Sequence, residues 1–130
     1  MQYFINQPIS KKAIADLREA VGWNRMEKEY SSPGFHSYDY IAAYDEGLLI
    51  GYIGCVSNGV TDAYIQDLMV HPNFQRQGIG TELMNRMIAV LKEQRIFMIS
   101  VIFEEKLQPF YDRFGFSFMR AGQIQTYESE

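Results

Sequence analysis

The sequence predicts an α+β fold: one domain over residues 1–130, with a mixed central β-sheet flanked by helices. Three observations predict it. Hydrophobic spacing switches between strand and helix periods in the order β-α-α-β-β-β-α-β-α-β-β, with no linker, repeat or low-complexity stretch dividing the chain. Asp45-Glu46-Gly47 joins two apolar runs in the manner of a hairpin turn. Between Ile65 and Leu91 a short apolar strand runs through a glycine loop into a long helical pattern.

Each element has its own warrant. YFI near the start reads as strand, and Pro8 ends it. Ser10 caps a helix whose apolar stripe is Ala13, Ile14, Leu17, Ala20 and Val21, and Gly22 stops that helix. Residues 23–37, WNRMEKEYSSPGFHS, lack a clear period. They read as a short helix over Arg25 to Tyr30 and a loop over Ser31 to Ser37, which is either a pocket wall or a surface connector. Tyr38–Tyr44 and Leu48–Val56 form the hairpin arms, with Gly51 and Gly54 marking a bulge or close backbone approach. Ser57-Asn58-Gly59 turns the chain into the strand Ala63–Val70.

His71-Pro72-Asn73 breaks that strand, and Gly78 and Gly80 open the helix carrying Ile79, Leu83, Met84, Met87, Ile88 and Leu91. The run Ile96–Phe103 is continuously apolar, as expected of a strand buried on both faces. A short helix over Glu104–Phe114 tolerates Pro109 in its first turns and ends at Gly115. Phe116–Met119 and Gln123–Tyr127 read as a last hairpin around Ala121-Gly122. Its final strand is free to pair with a second copy, so a homodimer is compatible with the sequence.

Composition sets limits. A hydrophobic fraction of 47% and an aromatic fraction of 15% suit a packed core. No apolar run approaches the ~18 residues of a membrane span, so a membrane-spanning protein is excluded. No secretory signal is visible in MQYFINQPISKK, and a single cysteine, Cys55, sits in a strand pattern as an inert core thiol. Both point to a reducing cytoplasm. The net charge of −4 and the lack of a long basic stripe argue against nucleic acid. Only residues 70–95 are net positive, and they hold the glycine loop.

That loop is the chemical core of the sequence. A strand, a glycine turn and a helix start aim several free backbone N–H groups at one point, where the helix dipole is positive and an anion such as phosphate binds. A P-loop needs Lys-Ser or Lys-Thr after the second glycine, and here Thr81-Glu82 follows Gly80. A Rossmann fold needs an early βαβ unit and a ribose-binding acid, and neither is present. One cysteine and two histidines suggest no metal site.

Gln75-Arg76-Gln77-Gly78-Ile79-Gly80 has the form Q-x-x-G-x-G after IQDLMVHP, and PFYDRFGF places Tyr111 four residues before Gly115-Phe116. Over nearly its whole length the chain resembles the GNAT superfamily of acetyl-CoA-dependent N-acetyltransferases. The resemblance implies acetyl-CoA as acyl donor and an amine-bearing small molecule or peptide as acceptor. It implies that the amides of Gln75, Arg76, Gln77, Gly78, Ile79, Gly80 and Thr81 hold the pyrophosphate of CoA. Main-chain groups of Leu68, Met69 and Val70 would pair with the pantetheine arm, which requires this strand to splay from Ile99–Phe103. An amide near Leu68 or Met69 would polarise the thioester carbonyl. Tyr111, beside the sulfur, matches the family's proton donor to the departing thiolate.

The base is less marked. Some members carry Glu where this chain has Gln66, which cannot take a proton. Asp67 is adjacent, yet a regular strand turns it to the opposite face; a bulge or a water would recruit it, and otherwise it accepts hydrogen bonds from a neighbouring loop. Glu104 stands where many members have Asn, and would contact the pantetheine or acceptor, act as base, or cap the short helix. For the acceptor pocket the candidates are Trp23, Tyr30 and Phe35, with His36 too isolated to be a ligand. The alternative function is a non-catalytic acyl-CoA-binding module with a regulatory role.

Overall fold

Five strands form one sheet in the order β1-β2-β3-β4-β5 in the computed structural model, which describes residues 1–129. They are β1 (Gln2–Ile5), β2 (Asp39–Asp45), β3 (Leu48–Ser57), β4 (Asp62–Val70) and β5 (Met98–Val101). The first three pairings are antiparallel and β4–β5 is parallel, so the sheet is mixed. A parallel pair needs a crossover, and α3 (Ile79–Glu93) supplies it. The β2–β3 turn places Glu46 and Gly47 at φ 49 and 81, the two left-handed residues that a tight hairpin requires.

Helices cover both faces. On one, α3 buries Leu83, Met84, Met87 and Leu91 against Ile41, Ala43, Ile53, Cys55 and Ile65. Gly51 is the close-approach position, since an added Cβ would lie 3.1 Å from Leu83 and 3.3 Å from Ile79. On the other face, α1 (Lys11–Ala20) and the single turn α2 (Glu27–Tyr30) set Ile14, Leu17 and Tyr30 against Ala42, Tyr52 and Met69. Ser10 caps α1 through its hydroxyl, which accepts from the Ala13 amide at 3.2 Å.

Four readings need correction. β5 is the edge strand among the described residues, and its burial alternates, with Met98 and Ser100 exposed and Ile99 and Val101 half-buried, so only one of its faces is covered. The helix expected over Glu104–Phe114 is broken into α4 (Gln108–Tyr111) between two 3-10 turns, with Pro109 at its start. The helix expected over Arg25–Tyr30 begins at Glu27, because Met26 takes a left-handed φ of 50 that a right-handed helix cannot contain. The last hairpin is not formed among the described residues. Two short strands without a third to pair with are marginal in water, and the segment is held elsewhere. Phe118 packs edge-on to Phe103, while Tyr127 and Ser129 reach Glu29. The homodimer expectation loses the strand on which it rested.

Candidate active site

β4 carries the site because it is deformed at its centre. Gly54 pairs with Gln66 and Tyr52 with Met69, so Asp67 and Leu68 together oppose Ile53 as a β-bulge. Asp67 takes φ 58, a left-handed conformation that Asp tolerates better than most residues. Beside the bulge, pairing with β5 stops at Ile65–Val101, and β4 continues alone to Val70. The β5 side of residues 66–70 is thereby left without a ladder.

A cleft of about 560 Å³ opens there. Leu68 and Val70 form one wall, the loop from Gln75 to Thr81 the floor, and Leu107, Phe110, Tyr111 and Arg113 the opposite wall. Of the loop residues singled out from sequence, Gln77 alone does not line it. Gly78 caps α3 at φ 81, which only glycine adopts freely, and an added Cβ there meets no protein atom. The amides of Gly78, Ile79, Gly80 and Thr81 donate to no acceptor among the described residues. Four free N–H groups at a helix start, with open space before them, suit a diphosphate. The Gln75 side-chain amide donates to the Val70 carbonyl at 3.0 Å and fastens the loop to β4.

Arg113 was not among the residues singled out from sequence. Its Nη1 donates to Thr81 Oγ1 at 3.0 Å, its guanidinium lies 5.3 Å from the Phe110 ring centroid, and it adds positive charge at the α3 N-terminus. The available signal was its place in YDRFGF, two residues after Tyr111, where the motif drew attention only to Tyr111 and Gly115-Phe116.

Tyr111 is buried at the cleft wall, its ring stacked on Phe103 at 4.2 Å and 13°. Its hydroxyl has no protein partner among the described residues, and burial, followed by Tyr64, raises its pKa above the ordinary value. The phenol is therefore protonated at neutral pH and its proton is uncommitted.

On the other face of the sheet, the bulge turns Asp67 toward α1 and α2. The Tyr30 hydroxyl donates to Asp67 Oδ2, and Arg18 Nη1 lies 3.5 Å from Oδ1. Arg18 is itself buried and also donates to the Asn24 carbonyl at 2.7 Å, to Asn24 Oδ1 at 3.0 Å and to the Tyr30 hydroxyl at 3.2 Å. Burial and the Asp67 charge push the Tyr30 phenol far above its ordinary pKa, so it acts as a donor. Phe35 packs on the Tyr30 ring at 4.4 Å, and Trp23 lies over Arg18 at 5.3 Å with its ring largely in solvent. The acceptor-side candidates Trp23, Tyr30 and Phe35 are therefore brought together around Arg18 and Asp67. Met69 also points to this face, into the α1 core. Glu104 lies outside the cleft, makes no cap bond, and pairs with Lys106 at 3.5 Å. Among the described residues no group of His, Cys, Asp and Glu is arranged to hold a metal, and no helix is long and apolar enough to cross a membrane.

The family model described as Acetyltransferase (GNAT) family matches residues 11–116. The chain belongs to the GNAT acetyltransferase family. GCN5-related N-acetyltransferase 3, chloroplastic, of Arabidopsis thaliana is 37% identical over 76 residues, covering 58% of this chain and 32% of that protein. An uncharacterized N-acetyltransferase, ycf52, of Porphyra purpurea is 29% identical over 108 residues, covering 79% of this chain and 62% of that protein. The chain thus spans less than two thirds of the length of these two relatives. Among solved structures, a GNAT family acetyltransferase of Streptococcus pneumoniae superposes with a TM-score of 0.75 at 28% identity, covering 98% of both chains. An aminoglycoside 6′-N-acetyltransferase complexed with coenzyme A shares the fold, with a TM-score of 0.61 at 22% identity over 78% of this chain and 61% of that one.

Proposed function

We propose that this GNAT protein moves an acetyl group from acetyl-CoA to the primary amine of a small molecule or peptide by direct transfer. One observation carries the reading: the unladdered stretch of β4, the free amides of the α3 start and the uncommitted Tyr111 hydroxyl all border a single cleft. Acetyl-CoA supplies the thioester. The amides of Gly78–Thr81, with Arg76 and Arg113 beside them, suit its diphosphate, and the backbone of residues 68–70, apart from the Val70 carbonyl that Gln75 holds, suits the pantetheine amides as an added strand. A main-chain N–H near Leu68 or Met69 polarises the carbonyl. Tyr111 gives its proton to the departing thiolate.

The amine proton leaves toward the opposite face. The bulge at Asp67 favours that carboxylate, directly or through a water, over Glu104, which is paired with Lys106 outside the cleft. Trp23, Tyr30 and Phe35 supply the aromatic wall of the acceptor side. The buried, unpaired Cys55 suits a reducing compartment such as the cytoplasm.

A second reading, a non-catalytic acyl-CoA-binding module, has one observation in its favour. Both Asp67 oxygens already face donors, and no carboxylate or imidazole borders the cleft. One experiment separates the two: purified protein, acetyl-CoA and a panel of polyamines, aminoglycosides, amino acids and peptides, with release of free thiol as the readout. Amine-dependent thiol release supports transfer. Saturable CoA binding without release across the panel moves the conclusion to the binding module.

A further inference from the structure

One cation is buried among the described residues, and it does not border the cleft. Arg18, in the last turn of α1, is 7% exposed. Its Nε donates to the Asn24 carbonyl at 2.7 Å and its Nη2 to Asn24 Oδ1 at 3.0 Å. Its guanidinium lies 5.3 Å from the Trp23 ring centroid and 5.5 Å from that of Tyr30. Asn24 and the two rings thus seat the guanidinium with Nη1 toward the Tyr30 hydroxyl and Asp67. Burying a charge is costly, and an apolar side chain of similar length would pack α1 on the sheet as well. Packing alone gives no reason for an arginine here.

The charge faces a strained residue. Asp67 is the left-handed member of the β4 bulge, at φ 58, a conformation that a residue other than glycine keeps only where its surroundings over-determine it. Its two carboxylate oxygens accept from the Tyr30 hydroxyl and from Arg18, 3.5 Å away. The next residue, Leu68, lines the cleft, and Met69 resumes the register with Tyr52. Losing the bulge amounts to a one-residue slip, which exchanges the faces to which Leu68 and Met69 point.

We propose that Arg18 is a positioning residue for the donor cleft: through Asp67 it holds the bulge, and the bulge sets the main chain that runs from Leu68 to Val70 along the cleft. The proposal rests on the cleft being the acetyl-CoA site, and it adds to that site a residue on the far face of the sheet.

The test uses glycine to separate backbone from charge. Calorimetry with CoA is expected to show binding about tenfold weaker in Arg18→Met than in the intact protein, the population lost when nothing offsets a left-handed residue other than glycine. Adding Asp67→Gly to Arg18→Met restores the affinity, because glycine takes φ 58 freely. Adding Asp67→Ala does not, although it removes the same unpaired carboxylate. Unchanged affinity in Arg18→Met, or equal effects of the glycine and alanine changes, overturns the proposal. Should Arg18→Met not fold, Tyr30→Phe takes its place, since it removes only a hydroxyl donor to Asp67, and the same contrast is read in it. If the intact protein binds no CoA, the reading of the cleft falls, and amide hydrogen exchange over residues 68–71 decides the positioning role alone. Faster exchange in Arg18→Met, slowed again by Asp67→Gly but not by Asp67→Ala, supports it, and equal exchange in all variants overturns it.

Discussion

Replacing Tyr111 by Phe separates catalysis from packing more cleanly than any other single change in this protein. The ring is what the fold uses. It stacks on Phe103 at 4.2 Å and meets Phe110 edge-on at 5.0 Å, and Phe keeps both contacts. The hydroxyl bonds to no protein group among the described residues, so its loss leaves nothing unsatisfied and stability should change by no more than ~0.5 kcal/mol. Ala would instead open a cavity worth ~3–5 kcal/mol and confuse the two effects. If the hydroxyl protonates the departing thiolate, its removal withdraws a general acid, worth about 10²–10⁴ in rate or ~3–5 kcal/mol of barrier. The expected result in the thiol-release assay is a fall of about 10²-fold or more in kcat, with KM for acetyl-CoA nearly unchanged. The pH profile adds a second reading. The acid must be protonated, and the phenol pKa is raised by burial, so activity should persist up to and beyond pH 10 before an alkaline limb appears. That limb should vanish in the Phe variant. A variant that keeps kcat within about threefold and retains the alkaline limb would refute the role of Tyr111 as acid.

Two further outcomes follow from the same structure. Gly78→Ala forces a side chain into φ 81 and should cost ~1–2 kcal/mol in urea unfolding. Gly80→Ala meets only ordinary contacts at 3.6 Å from Phe110, so it should leave the melting temperature unchanged or higher while raising KM for acetyl-CoA. Equal KM in wild type and Gly80→Ala would remove the close backbone approach from the reading. Stability should also fall at alkaline pH. Tyr30, Tyr52 and Tyr111 have raised pKa values when folded, Tyr52 up to about 12, so the unfolded chain loses phenolic protons near pH 10 while the native state keeps them. The unfolded state then binds fewer protons, and unfolding free energy declines from about pH 10 upward. Tyr52 alone accounts for ~3 kcal/mol of this by the time both states are ionised. A flat stability between pH 9 and 11.5 would contradict it.

What was legible in the sequence is what local chemistry decides. Ser10 caps α1 because a hydroxyl at that position satisfies a free amide, and Glu46-Gly47 turns the hairpin because Gly47 accepts a left-handed φ. The glycine loop was legible for the same reason, since Gly78 takes the left-handed φ at the start of α3. The bulge at Asp67 left no such mark. IQDLMV contains no glycine, and the left-handed Asp67 is held by Tyr30 and Arg18, which lie 37 and 49 residues away in the chain. β5 misled for a related reason. A continuous apolar run signals burial on two faces only if something covers the second, and nothing in IFMISVIF reports that one face of β5 lies open. The residues around Ala121-Gly122 suggest a hairpin of Phe116–Met119 and Gln123–Tyr127, but pairing is a property of two segments together, and among the described residues these two do not pair.

The bulge also explains why both halves of the site meet at β4. The β4–β5 ladder ends at Ile65–Val101, and the bulge begins at the next pair, Gln66–Gly54. An extra residue in one strand increases its local twist and bends it, so β4 leaves β5 at the point where the bulge starts. The bend exposes main-chain groups toward the cleft through Leu68, and the extra residue swings Asp67 to the side of α1 and α2. Adjacent residues thereby face opposite sides of the sheet, which the proposed reading assigns to donor and acceptor. Arg18 and Tyr30 bond the left-handed Asp67 on the opposite face of the sheet, and neither borders the cleft.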